Sequence, residues 1–292
     1  MKNIIAEFIS KKTSLPKIIV IYGPTASGKT ALSLEIAKML DSEIIGADSR
    51  QIYKKLDIGT GKITKDEMSG IRHHMIDILD IGQNYSVGEY KKETEKIINK
   101  LHEDGKMPII CGGTGLYIDS IVYEFDIPKI EPDWEYREDL EKLRIENGND
   151  FLWQLLNRLD PEYAQMLEPN NYRYVIRGLE IFEKSGKSML ELKGTNELKY
   201  DVLFLTPYDG DRVKLYERIN LRVEEMFEAG LVDEVKKILE SHTKDSFGLN
   251  TIGYKEIAEY LEGNLDLETC RNLVKQHNRN YAKRQLTWFR KY

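Results

Sequence analysis

Cysteine is nearly absent from this chain: Cys111 and Cys270 are the only two in 292 residues. That excludes a disulfide framework and a cysteine-based metal cluster, and makes a reducing cytoplasm the expected setting. Long apolar runs are missing too. The stretch Ile4 to Ile9 is shorter than a signal-peptide core, and nothing approaches the roughly 20 apolar residues of a membrane span, so no membrane partner is expected. Internal repeats and low-complexity segments are lacking, and 41% hydrophobic with 32% charged residues is the composition of a folded globular chain. The length allows one large domain, or one carrying an inserted second. An overall excess of positive charge is lacking as well: the formal net charge is −6, which argues against a nucleic-acid partner. The average hides a local exception. From Arg271 to Tyr292 there are seven basic residues (Arg271, Lys275, Arg279, Lys283, Arg284, Arg290, Lys291) and no Asp or Glu.

Lys17 to Tyr22 is a short apolar run ending at a glycine and predicts a buried parallel strand. Thr30 to Leu40 has helical spacing, with Leu32, Ile36 and Met39 on one side. Glu43 to Ala47 predicts a second strand and Met107 to Cys111 a third, separated by a helix that Ser86 and Glu89 open as a capping box. This alternation predicts an α/β fold, a P-loop NTPase-like parallel sheet covered on both faces, with its ligand at the carboxyl ends of the strands. Three loops then converge on one site: Gly23 to Thr30, Asp48 to Gln51, and Gly112 to Gly115. From Ile127 to Leu192 the strand signal disappears. Helix-like stretches at Glu135 to Glu146, Phe151 to Leu159 and Tyr172 to Glu183 predict a mostly helical inserted domain over residues 127–200. The sheet resumes at Val202 to Thr206, Asp211 to Ala229 reads as a long helix stopped by Gly230, and Leu231 to Tyr292 is helical, punctuated by Gly248 and Gly263. The core domain, residues 1–126 and 201–292, is thus split by the insertion.

Gly23-Pro24-Thr25-Ala26-Ser27-Gly28-Lys29-Thr30 fits G-x-x-x-x-G-K-[ST] at every fixed position, between a predicted strand and a predicted helix. Backbone N–H groups of such a loop wrap phosphate oxygens at a helix N-terminus, Lys29 adds a point charge, and Thr30 offers a hydroxyl to Mg²⁺. Most proteins with this loop transfer a phosphoryl group. Against that, the third strand should end in a metal-binding Asp and instead enters Gly112-Gly113-Thr114-Gly115. The acid stands after the second strand, in Asp48-Ser49-Arg50-Gln51, better placed to meet a second substrate. Asp48 there suits a general base or a metal held through water, and equally a turn cap. Gln51 has the donor and acceptor pair that fits an adenine edge. His73 and His74 are adjacent, share no helix face and have no Cys pairs nearby, so a hydrogen-bonding role is expected instead of a metal. Arg218 and Arg222 lie four apart on one helix face and can reach a phosphate from the side opposite the loop, or else form a solvated face with Glu217 and Glu225. Asn171 to Arg177 interleaves aromatic and basic residues as a base-stacking RNA surface does, and reads equally as an amphipathic helix with Val175 and Ile176 inward. Asn278 to Arg290 has the same mixture with more charge, and the two patches together would make an RNA clamp.

The ordered motifs GPTASGKT (23–30), DSRQIY (48–53), DIGTGK (57–62), HHMIDI (73–78), YSVGEY (85–90), GGTGLY (112–117), IRGLEI (176–181), LYERINLRVEEMFEAGLVDEV (215–235), IGYKE (252–256) and YAKRQLTWFR (281–290) resemble those of the tRNA dimethylallyltransferases, which prenylate an adenine beside the anticodon. The match runs from about Lys17 to the last residue. DSRQ, GGTGLY and YAKRQLTWFR together are specific, whereas the phosphate loop alone is widely shared. The resemblance implies transfer of a dimethylallyl group from dimethylallyl diphosphate to N6 of adenosine 37, in tRNAs reading codons that start with U. The phosphate loop then serves a leaving group, which accounts for the missing acid after the third strand. It further implies that Asp48 takes the N6 proton, that Thr114 and Arg137 stabilise the transition state, and that Arg222 joins residues 23–30 in holding the diphosphate, with Mg²⁺ on Thr30. Contacts with the tRNA anticodon stem-loop are implied at Asp48, Ser49, Arg50 and Gln51; at Arg173, Tyr174, Val175, Ile176 and Arg177; and at Asn250, Thr251, Ile252, Gly253, Tyr254 and Lys255. The basic run adds Arg279, Lys283 and Arg284. A monomer is expected. Some positions depart from the pattern: Asn278-Arg279-Asn280 stands where Thr-Arg-Gln is common, Asn171 where Asp is common, and Gly61 where Ala is usual, a loop position expected to matter little. No Cys and His pairs follow TWFR, as in the bacterial form without a zinc finger.

Overall fold

Four β-branched side chains in a row, Ile18 to Ile21, alternate between the two sides of a strand, so the run needs cover on both faces. The computed structural model, which describes residues 1–124, 130–192 and 197–292, meets that need with a five-stranded sheet among helices. In chain order its elements are α1 (Lys2–Ser10), β1 (Lys17–Tyr22), α2 (Lys29–Leu40), β2 (Ile44–Ala47), α3 (Lys65–Met68), β3 (His73–His74), α4 (Val87–Glu103), β4 (Ile109–Gly112), α5 (Gly115–Val122), α6 (Trp134–Asn147), α7 (Asn149–Leu159), α8 (Pro161–Ala164), α9 (Tyr172–Ser185), β5 (Asp201–Leu205), α10 (Arg212–Glu228), α11 (Leu231–Leu239), α12 (Tyr254–Leu261) and α13 (Leu267–Trp288). The chain divides into two compact units, Met1–Val122 with Lys199–Tyr292, and Tyr123–Leu198. The boundary expected between residues 126 and 127 lies outside the described residues.

In the first unit all strand pairs are parallel, in the order β3-β2-β4-β1-β5. Ile19, Ile21, Ile44 and Ile109 pack under Ile5 of α1 and Ile36 and Ala37 of α2. Ile18, Val20, Ile45 and Ile110, all fully buried, turn to the opposite face. The buried stripe of α2 runs through Ser33, Ile36 and Ala37, so Met39, expected inside, falls at its margin and is 39% exposed. Ser86 and Glu89 form the expected capping box of α4. That helix is fastened by Tyr90, whose hydroxyl donates to the Gly46 carbonyl (3.0 Å) and whose ring stacks on Tyr117 of α5. His73 and His74 form the short edge strand β3; the His74 ring pairs with Glu43 (2.7 Å), the hydrogen-bonding role expected of them.

The helices after β5 build a second core with the segment after β2: Ile52, Tyr53 and Leu56 lie against Val223, Phe227, Leu231, Val235, Tyr254, Ile257 and Val274. At its edge the Tyr254 hydroxyl donates to Glu234 and accepts from Gly59 N (3.2 Å), while Glu234 also accepts from Ile58 N (2.9 Å). Loop 57–62 is thereby tied to α11 and α12. Tyr254→Phe is expected to lower the unfolding free energy by about 1–3 kcal/mol, because a partly buried carboxylate and a backbone N–H each lose one hydrogen bond. A urea midpoint equal to that of the parent, at equal slope, would show that this hydroxyl anchors nothing.

The second unit is helical, α6 to α9, around Leu140, Leu152, Leu156, Tyr163, Val175, Ile176 and Leu179. Asp133 and Asp160 cap α6 and α8 through Tyr136 N (3.1 Å) and Tyr163 N (3.2 Å). Among the described residues no helix is long and apolar enough to cross a membrane.

Candidate active site

The register of the sheet sets Tyr22 opposite Gly112 and Gly112 opposite Ala47, so the loops after β1, β2 and β4 leave at one level, at the carboxyl ends of the strands. Hydrogen bonds join them. Thr114 N donates to the Ala47 carbonyl (3.0 Å), and the Thr114 hydroxyl accepts from Ser49 N (3.0 Å). From α13, the Gln285 side chain accepts from Thr25 N (2.8 Å) and donates to the Gly113 carbonyl (2.9 Å). A methyl group on Gly113 would stand 2.2 Å from Gln285 Nε2, and one on Gly115 2.2 Å from Trp288 Cδ1. Gly113 and Gly115 thus lie close against α13, and two motifs from distant parts of the sequence form one structure.

Residues 23–30 curl with Ala26 in the left-handed region at φ 59°, which turns successive N–H groups inward as an anion cradle does. The Ser27 hydroxyl is buried without a hydrogen-bond partner. An orphaned donor of that kind fits a phosphate oxygen. Lys29 rests on the Pro24 carbonyl (2.7 Å). Desolvation pulls its pKa down to about 8, against the raising influence of Cys111 and Asp48. Thr30 lies exposed in the first turn of α2.

Asp48 performs the turn-cap role considered for it: its Oδ1 accepts from Arg50 N (2.8 Å) and Gln51 N (3.4 Å). That uses one oxygen and leaves the base role open to the other. Its charge acts on Lys29, Arg222 and Tyr281. Arg222 lies beside the phosphate loop, donating to Thr25 Oγ1 (3.3 Å) and to the Gly61 carbonyl (3.2 Å); burial lowers its pKa and Asp48 opposes the shift. Gln51 donates to the same shelf, the carbonyls of Thr60 (3.1 Å) and Gly61 (3.3 Å). Gly61 has φ +56°, a conformation that favours glycine, and a methyl group on it would stand 1.5 Å from Arg222 Nη2, so the guanidinium would have to shift. Arg218 instead turns to Asp209 (3.9 Å) and is 45% exposed, solvated as its alternative had it but paired with neither Glu217 nor Glu225 in that contact.

The family model described as IPP transferase matches residues 51–292. The chain belongs to the IPP transferase family. A tRNA dimethylallyltransferase of Bacillus cytotoxicus is 49% identical over 276 residues, 94% of this chain and 87% of the relative. One from Caldanaerobacter subterraneus subsp. tengcongensis is 44% identical over 281 residues, 94% and 89% of the two chains. Among solved structures, the full-length tRNA isopentenylpyrophosphate transferase of Bacillus halodurans is 42% identical with a TM-score of 0.68, over 94% of this chain and 87% of that one. A eukaryotic dimethylallyltransferase captured acting on tRNA is 33% identical with a TM-score of 0.80, over 94% and 69%. The IPP transferase match starts at Gln51, so the phosphate loop and Asp48 stand outside it on their own geometry.

Within this IPP transferase fold the remaining expected site residues separate by burial. Val175 and Ile176 are 0% and 6% exposed in the core of the second unit, so their side chains are withdrawn from the expected RNA surface; the amphipathic-helix reading of α9 holds for them. Thr251, Gly253 and Tyr254 are likewise buried, which leaves Asn250, Ile252 and Lys255 with accessible side chains in that segment. Arg173 and Tyr174 are exposed. Arg177 and Arg137 both bind Glu180, Arg137 through Nε (2.9 Å) and Nη2 (2.7 Å). Burial raises the Glu180 carboxyl, but the hydrogen bonds from Arg137, Asp133 N and Arg177 outweigh it and hold the carboxyl below its ordinary value. Arg137 thus belongs to the second unit, on α6, and Thr114 to the first. The basic run is partly neutralised: Arg271 and Lys275 pair with Glu224, Lys291 with Asp119, and Arg279 donates to Asn220 (2.6 Å). Lys283, Arg284 and Arg290 remain exposed. Tyr281 and Gln285, which the sequence had offered only as members of an RNA-facing run, turn inward to Thr114 and Gly113.

Proposed function

We propose that this chain transfers a dimethylallyl group from dimethylallyl diphosphate to N6 of adenosine 37, beside the anticodon of tRNAs that read codons starting with U, and releases diphosphate. The observation that carries this reading is the placement of a carboxylate after β2, within electrostatic reach of Lys29 and Arg222, where a phosphoryl-transfer enzyme would carry its acid after β4. In the reaction the allylic C1–O bond breaks, the N6–C1 bond forms, and the N6 proton passes to Asp48. Charge that develops on the leaving diphosphate meets the loop amides of residues 23–30, Lys29 and Arg222. In this reading Thr114, whose hydroxyl accepts from Ser49 N, turns its proton to the reacting centre. The transition-state role of Arg137 is an assignment from the resemblance alone.

Mg²⁺ fits the donors present. The described residues contain no group of three or more His, Cys, Asp or Glu able to hold a metal. Thr30 offers one hard oxygen, and the diphosphate and water would supply the other ligands. There the ion would neutralise charge on the leaving group. Ser49, Arg50 and Gln51 read the extruded adenine, since a base inside a stacked anticodon loop has to be flipped out to reach an allylic carbon. In this reading Arg173, Tyr174 and Arg177 of the second unit contact tRNA, and in the first unit Asn250, Ile252, Lys255, Arg279, Lys283 and Arg284 do. A cytoplasmic monomer completes it, and light scattering of the purified protein tests the monomer.

The deciding experiment incubates the protein with Mg²⁺, dimethylallyl diphosphate and unmodified tRNA, then seeks N6-prenyl adenosine by nucleoside mass spectrometry. Product that requires both substrates is expected. None from a folded protein and a verified acceptor tRNA would overturn the reading. Lys283→Ala with Arg284→Ala is expected to weaken tRNA binding and to flatten the slope of log affinity against log salt by about one for each phosphate no longer neutralised. An unchanged slope would take α13 off the RNA surface.

A further inference from the structure

Gln285 is 5% exposed, and its amide is the side chain that joins the phosphate loop to the Thr114 loop. Its orientation is fixed by its neighbours: the N–H of Thr25 only donates and the carbonyl of Gly113 only accepts, so Oε1 faces the first and Nε2 the second. One turn earlier on the same helix face stands Tyr281. Gly115 lies against the Trp288 ring and Gly113 against the Gln285 amide, so helix and loop come close together at this bridge.

We propose that Gln285 is a positioning residue for group transfer. It holds the diphosphate loop and the Thr114 loop in fixed register, so that the leaving oxygen, the allylic carbon and the amine activated by Asp48 stay in line. The proposal rests on the reading that residues 23–30 hold an allylic diphosphate. Misplacement of reacting atoms by about 1 Å lowers a rate on the order of 10²-fold. Gln285 acts at that scale because it bonds to backbone atoms of both loops while touching neither substrate.

Prenyl transfer by the parent protein is measured first, which tests the function separately. Gln285→Leu keeps the side-chain volume and removes both hydrogen bonds; its kcat is expected to fall by about 10- to 10²-fold with the KM for tRNA within about twofold. Gln285→Glu supplies the discriminating signature. Its ionised carboxylate faces the Gly113 carbonyl and repels it, whereas the protonated acid donates to it, so kcat relative to the parent should rise as pH falls. The same ratio for Gln285→Leu should be flat. A residue that merely stabilised the fold would move neither ratio once both variants are shown folded by circular dichroism. In the parent without ligands, the Thr25 amide should exchange slowly with deuterium, a measurement that does not depend on any variant folding. An active parent with a Gln285→Leu kcat within about twofold of it, or a Thr25 amide exchanging at the unprotected rate, overturns the proposal.

Discussion

Asp48→Asn is expected to yield a folded protein whose kcat for prenyl transfer is lower by about 10²–10⁴-fold, the usual contribution of a general base. Asparagine is the informative replacement because the cap of Asp48 uses one oxygen and the proposed base role needs the other. Its Oδ1 accepts from Arg50 N and Gln51 N, and an asparagine oxygen preserves that cap. What disappears is the ability to take a proton, together with one negative charge near Lys29 and Arg222. Removing that charge leaves two cations freer to hold a diphosphate, so the KM for the allylic substrate should not rise. The loss should therefore fall on kcat, with tRNA affinity nearly unchanged. Equal losses in kcat and tRNA affinity would show that Asp48 serves the RNA-binding turn and not the proton.

Lys29→Met is expected to lower kcat/KM for dimethylallyl diphosphate by about 10²–10³-fold, the cost of removing one fixed positive group from a developing anion. The parent should carry a pH signature of the same residue. Desolvation holds the Lys29 ammonium at a pKa of about 8 in the free protein, below the ordinary 10.5. A lowered lysine pKa means that the charged form is lost as pH rises through that value. Below about 8 the diphosphate meets a charge already present; above it, binding has to take up a proton, and affinity should fall about tenfold per pH unit. Calorimetry with inorganic pyrophosphate in two buffers of different ionisation enthalpy would read that proton directly. The same linkage acts on folding with the opposite sign. Between about 8 and 10.5 the unfolded chain binds a proton that the folded one does not, so the contribution of Lys29 to stability rises with pH. Pyrophosphate affinity that stays constant from about pH 7 to 9.5 would sink this account of Lys29.

The site was legible in the sequence where local chemistry dictates local form. The run Ile18 to Ile21, the phosphate loop and the Ser86–Glu89 box each occupy the places expected of them, because apolar continuity, a fixed glycine spacing and a cap are properties of a few neighbouring residues. What escaped depends on partners distant in the chain. Gly61 looked like an ordinary loop position until Arg222 was found resting against it. Tyr254 looked available to RNA inside a motif, yet the helix beginning there turns it toward Glu234. The two residues of β3 carry no pattern, since an edge strand that short exists only through its pairing with β2. Along α13 the same run offers Lys283 and Arg284 outward and Ala282 and Gln285 inward, a division by helical period that composition cannot express.

The bridge from Thr25 to Gln285 spans 260 positions of the sequence. During translation the phosphate loop therefore emerges long before the side chain that steadies it, and the interval includes all of the second unit. A nascent chain can hold residues 23–30, Asp48 and the GGTG turn while still lacking the helix that bonds to two of those loops. Closure of that bridge is accordingly a late event of biogenesis, delayed until helix α13 has left the ribosome and docked.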